Sequence, residues 1–207
     1  MPSRGEARVY LRWAGWAGVA FFAVYPATNW LASQRALTLQ LYVPLELGVP
    51  FIPQFIWLYV SMYVLFLAPL FVLPAGCMPA LGRQLVAGTL ISGLLFLLLP
   101  ARLGFERVVP ADPLYAAMYA MIFRLDQPYN LVPSLHLVFS GAIALACAQV
   151  APPGLRAGLL VWLAAIALST LLVHQHHLLD VVAAFVLVHV LRQKFKAEPC
   201  VNTCSCS

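Results

Sequence analysis

Charge is scarce in this sequence. Only 9% of its 207 residues are Asp, Glu, Lys or Arg, against roughly 25% in a soluble domain. So few charges cannot cover a water-facing surface, which excludes a soluble globular domain. At 63% hydrophobic the chain is also neither disordered nor fibrous. Cysteine in metal-binding spacing is lacking as well: Cys77, Cys147, Cys200, Cys204 and Cys206 contain no Cys-x-x-Cys pair. The last three fall in a polar tail over 197–207, read as a disordered Cys-containing segment, with S-acylation beside a membrane as the alternative. No internal repeat and no low-complexity stretch is present. The first apolar run is too long, and too poor in small residues at its end, for a cleavable signal peptide.

What is abundant is apolar sequence. Mean hydropathy is +0.89, and six stretches approach the roughly 20 apolar residues a membrane span needs. They run from about Val9 to Leu31, Gln54 to Leu73, Gln84 to Leu99, Ser134 to Val150, Leu155 to Val173 and His177 to Leu191. With a cytoplasmic N-terminus, the cytoplasmic side carries eight Lys or Arg and two Glu; the other side carries four Arg and five acids. That split follows the positive-inside rule, so the net +5 describes orientation and not a nucleic-acid footprint. Two stretches outside the spans, Leu37 to Val49 and the region around Leu114 to Leu125, read as short amphipathic helices at the interface. The fold class expected is an all-α integral membrane protein: one six-helix domain over 1–196, with both termini cytoplasmic and short interfacial helices on the extracytoplasmic side. No nucleic-acid partner is expected.

Ionisable groups at span ends need a reason. His136 lies at the start of the fourth apolar stretch, and His174, His176 and His177 precede or open the sixth. Asp180 follows His176 by four residues, so the two share a helix face and can hydrogen-bond; a carboxylate behind an imidazole fixes its tautomer and frees the other nitrogen as nucleophile or base. Arg102 and Arg107 follow the third stretch on the same side, and guanidinium forks match phosphate oxygens. Two histidines, one aspartate and two arginines suit phosphoryl transfer. The competing readings are interface histidines, arginines anchored to lipid headgroups, and a zinc site from His174, His176, His177 and Asp180. Against zinc, His177 points away from the face that His176 and Asp180 share. His189 is read as an ordinary span-end residue.

The motifs resemble those of the type 2 phosphatidic acid phosphatase superfamily. Pro133-Ser134-Leu135-His136 is similar to its Pro-Ser-Gly-His motif. Ser169-Thr170, five residues, His176, three residues and Asp180 match the spacing of its last motif, usually Ser-Arg, five residues, His, three residues, Asp. Its first motif, Lys, six residues, Arg-Pro, is degraded: Arg107 fits the Arg, Val108 replaces Pro, and Arg102 stands in for the Lys. Motif order and helix layout agree over about 50–195.

The resemblance implies a metal-independent, cofactor-free enzyme acting on a lipid phosphate. His176 attacks phosphorus to give a phosphohistidine, Asp180 orients it, and His136 protonates the leaving group and then activates the acceptor. Arg102, Arg107 and Ser134 hold the phosphate, and the site opens to the extracytoplasmic face. Thr170 stands where the phosphatases carry an Arg. The segment His174-Gln175-His176-His177 looks like that of sphingomyelin and inositol phosphorylceramide synthases, which pass the phospho-headgroup to an alcohol. Lipid phosphatase is therefore the first expectation. Lipid headgroup phosphotransferase is the second, and a non-catalytic transport or binding relative the third.

Overall fold

The structure, a computed structural model, describes residues 2–196; the expected tail at 197–207, with Cys200, Cys204 and Cys206, lies outside the described residues. Among the described residues the chain is all helical, with no strand beyond one isolated bridge between Leu39 and Ala101. α1 (Arg4–Ser33) starts on a capping box in which Ser3 and Glu6 satisfy each other's backbone amides. α2 (Ile56–Val60), α3 (Met62–Leu65) and α4 (Ala68–Val72) follow as short pieces. α5 (Met78–Leu98), α6 (Pro113–Leu125), α7 (Leu135–Val150), α8 (Pro153–Leu172) and α9 (Leu178–Lys194) complete the bundle.

Central to the bundle is α7, with 12 of its 16 residues buried, and the main core gathers around it from α1, α3, α5, α8 and α9. Its small residues let neighbours approach closely: a Cβ on Gly141 would come within 3.2 Å of Val188 on α9. The same device joins α1 to α5. Trp13 lies flat against Gly82 and Val24 against Gly93, each so close that a Cβ on the glycine would overlap the facing side chain.

α5, with its preceding turn from Ala75, and α8 are each long and apolar enough to cross a membrane; 53–65 and α7 are shorter apolar helices. The expected single span from Gln54 to Leu73 is instead α2, α3 and α4. Pro69 cannot donate to the carbonyl four residues back, and Ser61 turns its hydroxyl onto the Leu58 carbonyl at 2.6 Å. The third expected stretch begins earlier, at Met78, because Pro79 sits in the first turn, where no amide partner is needed. Between Leu37 and Val49 the expected amphipathic helix is reduced to a 3-10 turn, Pro44–Gly48. Pro44 holds Val43 in extended backbone, which blocks helix from the N-terminal side. The other expected interfacial helix forms as α6, opened by Asp112, whose carboxylate accepts from the amides of Leu114 (2.9 Å) and Tyr115 (3.2 Å).

All long connections gather at one end of the bundle. The Leu39 amide donates to Pro100 O at 2.7 Å, Ile52 N to Leu172 O at 2.9 Å, and Ser134 N to Asp180 O at 3.1 Å. These bonds tie 34–55, 99–134 and 172–180 into one cap, and the cap holds the residues of interest.

Candidate functional site

The turn between α8 and α9 sets the site. The Thr170 carbonyl accepts from the amides of both Gln175 (3.0 Å) and His176 (3.1 Å), closing the end of α8. His174 then takes a left-handed φ of 55° to reverse the chain. His176 Nδ1 lies 3.0 Å from Asp180 Oδ2, and the same oxygen accepts the His177 amide at 2.9 Å. A carboxylate only accepts, so Nδ1 carries the proton and His176 Nε2 keeps its lone pair. Both residues are buried.

The flanking histidines are fasteners. Ring centroids run His174 to Phe105 at 3.9 Å, Phe105 to His177 at 4.4 Å and His177 to Tyr42 at 4.5 Å, all within 17° of parallel. His177 Nε2 accepts the Gly104 amide at 3.0 Å, so its Nδ1 bears the proton and faces Glu46 Oε2 at 3.4 Å. His174 Nε2 reaches the Val49 carbonyl at 2.9 Å and must donate to it. Burial lowers the pKa of His174, and the bond to the Val49 carbonyl opposes part of that shift. The rings of His174, His176 and His177 therefore serve three different partners, and among the described residues no three His, Cys, Asp or Glu side chains converge.

His136 and His176 line one cavity of about 580 Å³, together with Asp126, Asn130, Tyr25 and Tyr59 at the capped end. The rest of the wall is almost wholly apolar and runs along one face of α1 toward Tyr10 and Trp13. His136 stacks on Tyr59, centroids 4.0 Å apart, and its buried Nε2 has no hydrogen-bond partner among the described residues. Ser134 is fully buried as the N-cap of α7, its hydroxyl taken by the Leu137 amide at 3.4 Å. The hydroxyls of Ser169 and Thr170 bond carbonyls one turn back in α8.

The arginines sit elsewhere than expected. Arg102 is exposed and lines a second, polar cleft of about 480 Å³ with Arg35, Glu106 and Arg107. Arg102 and Arg107 do not line the histidine cavity, and no Lys or Arg does so among the described residues. Arg107 instead closes the C-terminal end of α6. Its Nη1 and Nη2 donate to the carbonyls of Phe123 (3.3 Å) and Asp126 (2.6 Å), and its guanidinium stands 4.8 Å from the centroid of the Phe123 ring. Burial lowers its pKa, and the nearby Asp126 charge offsets part of that shift.

Asp126, just past the C-terminal end of α6, is a site residue that sequence motifs do not mark. Its side chain is turned into the cavity, where it accepts the Tyr25 hydroxyl. Burial raises its carboxyl pKa above the ordinary 3.8, opposed by the Tyr25 hydrogen bond and by the charges of His176 and Arg107. Asn130 holds the connection in place, its amide donating at 3.0 Å to both Tyr25 O and Thr28 Oγ1 on α1. Neither residue shows a local periodicity that marks it; the only signal was an acid and an amide close before Pro133.

Compared with protein-family models, curated proteins and solved structures, the chain matches none. The chemistry of the cavity is therefore read from its own residues. They provide an imidazole oriented by a carboxylate, a second imidazole with an unpartnered nitrogen, and an apolar space leading away from both.

Proposed function

We propose that this chain is an integral membrane lipid phosphatase that crosses the bilayer six times and works through a phosphohistidine on His176. One observation carries the reading: His176, hydrogen-bonded to Asp180, shares one cavity with His136, and away from the capped end that cavity is almost wholly apolar. A water-soluble phosphate ester has no use for such walls, whereas a lipid places phosphate at the imidazoles and hydrocarbon along α1. The membrane part of the reading is supported by α5 and α8, and by large apolar side chains exposed all round the bundle, among them Phe22, Phe71, Leu94, Val161 and Val186. Both described chain ends lie cytoplasmic in this reading, and the cap faces the extracytoplasmic side.

In the first step the His176 Nε2 lone pair attacks phosphorus, the P–O bond to the lipid breaks, and His136 gives a proton to the leaving oxygen. In the second step water, deprotonated by His136, attacks the phosphohistidine, releasing phosphate and restoring His176. Asp180 stabilises the imidazolium character that develops on His176. The polar cleft adjoins the cavity: Arg107 lines the cleft and binds the Asp126 carbonyl, and Asp126 lines the cavity.

The alternative reading, a headgroup phosphotransferase, is favoured by the absence of Lys and Arg from the cavity wall and by Asp126 within it. A carboxylate there disfavours a dianionic monoester more than a monoanionic diester. The test is mass spectrometry of lipid products from the purified protein in detergent, supplied with phosphatidate, polyprenyl diphosphate or a phosphodiester lipid. Each assay is run with and without an alcohol acceptor. Phosphate release abolished by His176→Ala supports the phosphatase; a new phosphodiester that requires the acceptor supports the transferase. Full activity in His176→Ala overturns both.

A further inference from the structure

At the end of the histidine cavity away from the imidazoles, two contacts pin α1 to its neighbours. Trp13 on α1 lies against Gly82 of α5 so closely that a Cβ there would overlap the indole. Beside it the Tyr10 hydroxyl donates to the Phe66 carbonyl at 3.0 Å. Both residues line the same cavity as His136 and His176. On α1 the lining runs from Tyr10 to Pro26, sixteen residues apart in the chain. At about 1.5 Å per residue the groove is about 24 Å long. That exceeds half of a hydrocarbon core roughly 30 Å thick, so the groove passes the bilayer midplane.

We infer that this groove is a length gauge for one extended hydrocarbon chain of the substrate, with Tyr10 and Trp13, held on Phe66 and Gly82, as its stop. The inference rests on the reading of a lipid phosphate at His176 and adds which lipid is preferred: one whose chain is of the hexadecyl to octadecyl class. A shorter chain leaves part of the groove unfilled. A longer one must displace Trp13 or bend back, and overpacking a filled site of this kind lowers binding by about tenfold or more.

Two positions adjust the gauge in opposite directions. Trp13→Ala opens the stop. Gly18 lines the middle of the groove, and a Cβ there meets nothing within 4 Å, so Gly18→Leu fills the groove without displacing the backbone.

The experiment uses the full chain in mixed detergent micelles, with dodecyl, hexadecyl, octadecyl and docosyl phosphates at equal mole fraction. Binding is read by native mass spectrometry and turnover by phosphate release. The wild type is expected to hold hexadecyl and octadecyl phosphate and to lose about tenfold at docosyl. Trp13→Ala should recover docosyl binding, and Gly18→Leu should move the preference toward dodecyl.

A wild-type profile that is flat from dodecyl to docosyl overturns the inference even if neither variant folds. So does an identical profile in all three proteins. A profile that moves as expected in binding, with no phosphate released from any chain, leaves the gauge standing and removes the phosphatase reading. Phosphate release with a flat profile does the reverse. Crosslinking of α1 to a second copy through Trp13 would assign the groove to a helix of a partner chain and overturn the inference.

Discussion

At the scale of the residue, the decisive arrangement is one oxygen with two donors. Asp180 Oδ2 takes both the His176 ring and the His177 amide, so the aspartate orients the imidazole and caps α9 at once. Asp180→Asn is expected to lower kcat by roughly a hundredfold or more while leaving the protein folded, because the amide is close in size but has lost the charge. Rapid-quench trapping of phosphohistidine checks this, and an undiminished intermediate would remove Asp180 from the mechanism. The Asp126 carboxyl makes a pH-dependent prediction. Its pKa is raised in the fold, so the folded chain holds that proton more tightly than the unfolded chain. Ionised Asp126 therefore weakens the fold at neutral pH, and the loss is relieved as pH falls through the raised pKa. Asp126→Asn, whose carbonyl still accepts from Tyr25, should melt higher than wild type at neutral pH. The difference should close on acidification, as followed by tryptophan fluorescence.

The two carboxylates also mark what was legible in the sequence. His176 and Asp180 are four apart on one helix, so their contact follows from helix geometry alone. Tyr25 and Asp126 are separated by 101 residues, and nothing local marks their meeting. For Arg102 and Arg107 the sequence told which end of the bundle they occupy but not which of two cavities. That choice is made by the carbonyls at the end of α6, which engage Arg107.

At the scale of the element, glycines on α5 set how near α1 can lie. Gly93→Ala pushes a methyl into Val24 and is expected to destabilise the protein by roughly 1–3 kcal/mol. Adding Val24→Ala should return most of that loss. A double variant no more stable than Gly93→Ala alone would show that the strain lies elsewhere. Helix positions were legible in the sequence wherever hydropathy and a start signal agree: a side-chain cap for α6 and α7, and Pro153 in the first turn for α8. They were not where a side-chain hydroxyl or a proline competes with the backbone. Ser61 takes the Leu58 carbonyl and also receives Trp162 Nε1 at 2.8 Å, a contact with α8 that sequence periodicity does not encode.

At the scale of the whole molecule, the proposed topology is directly testable. A reporter enzyme that is active only when exported, fused after Ala111 in the cap, should be active. The same reporter fused after Ala157 near the start of α8 should be silent. The reverse pattern would invert the molecule and put the histidines on the cytoplasmic side. Composition and the Lys/Arg split were enough to suggest this orientation. The interlocking of three connections into one cap was not legible, because those contacts join segments with no shared pattern, such as the Glu46 carboxylate accepting the Leu178 amide at 2.7 Å.

That cap has a consequence for traffic. The stacked rings of His174, Phe105, His177 and Tyr42 fasten the connections of the cap to one another, and none of the four lines the cavity. The wall is different: Phe22 on α1 and Met121 and Leu125 on α6 line the cavity and are also exposed, at 74%, 61% and 68%. Between α1 and α6 the cavity thus has a doorway in its side, framed by flexible apolar side chains. Under the proposed function, a lipid substrate using it never leaves the bilayer, and the concentration that governs its rate is its mole fraction among neighbouring lipids, not its molarity in water.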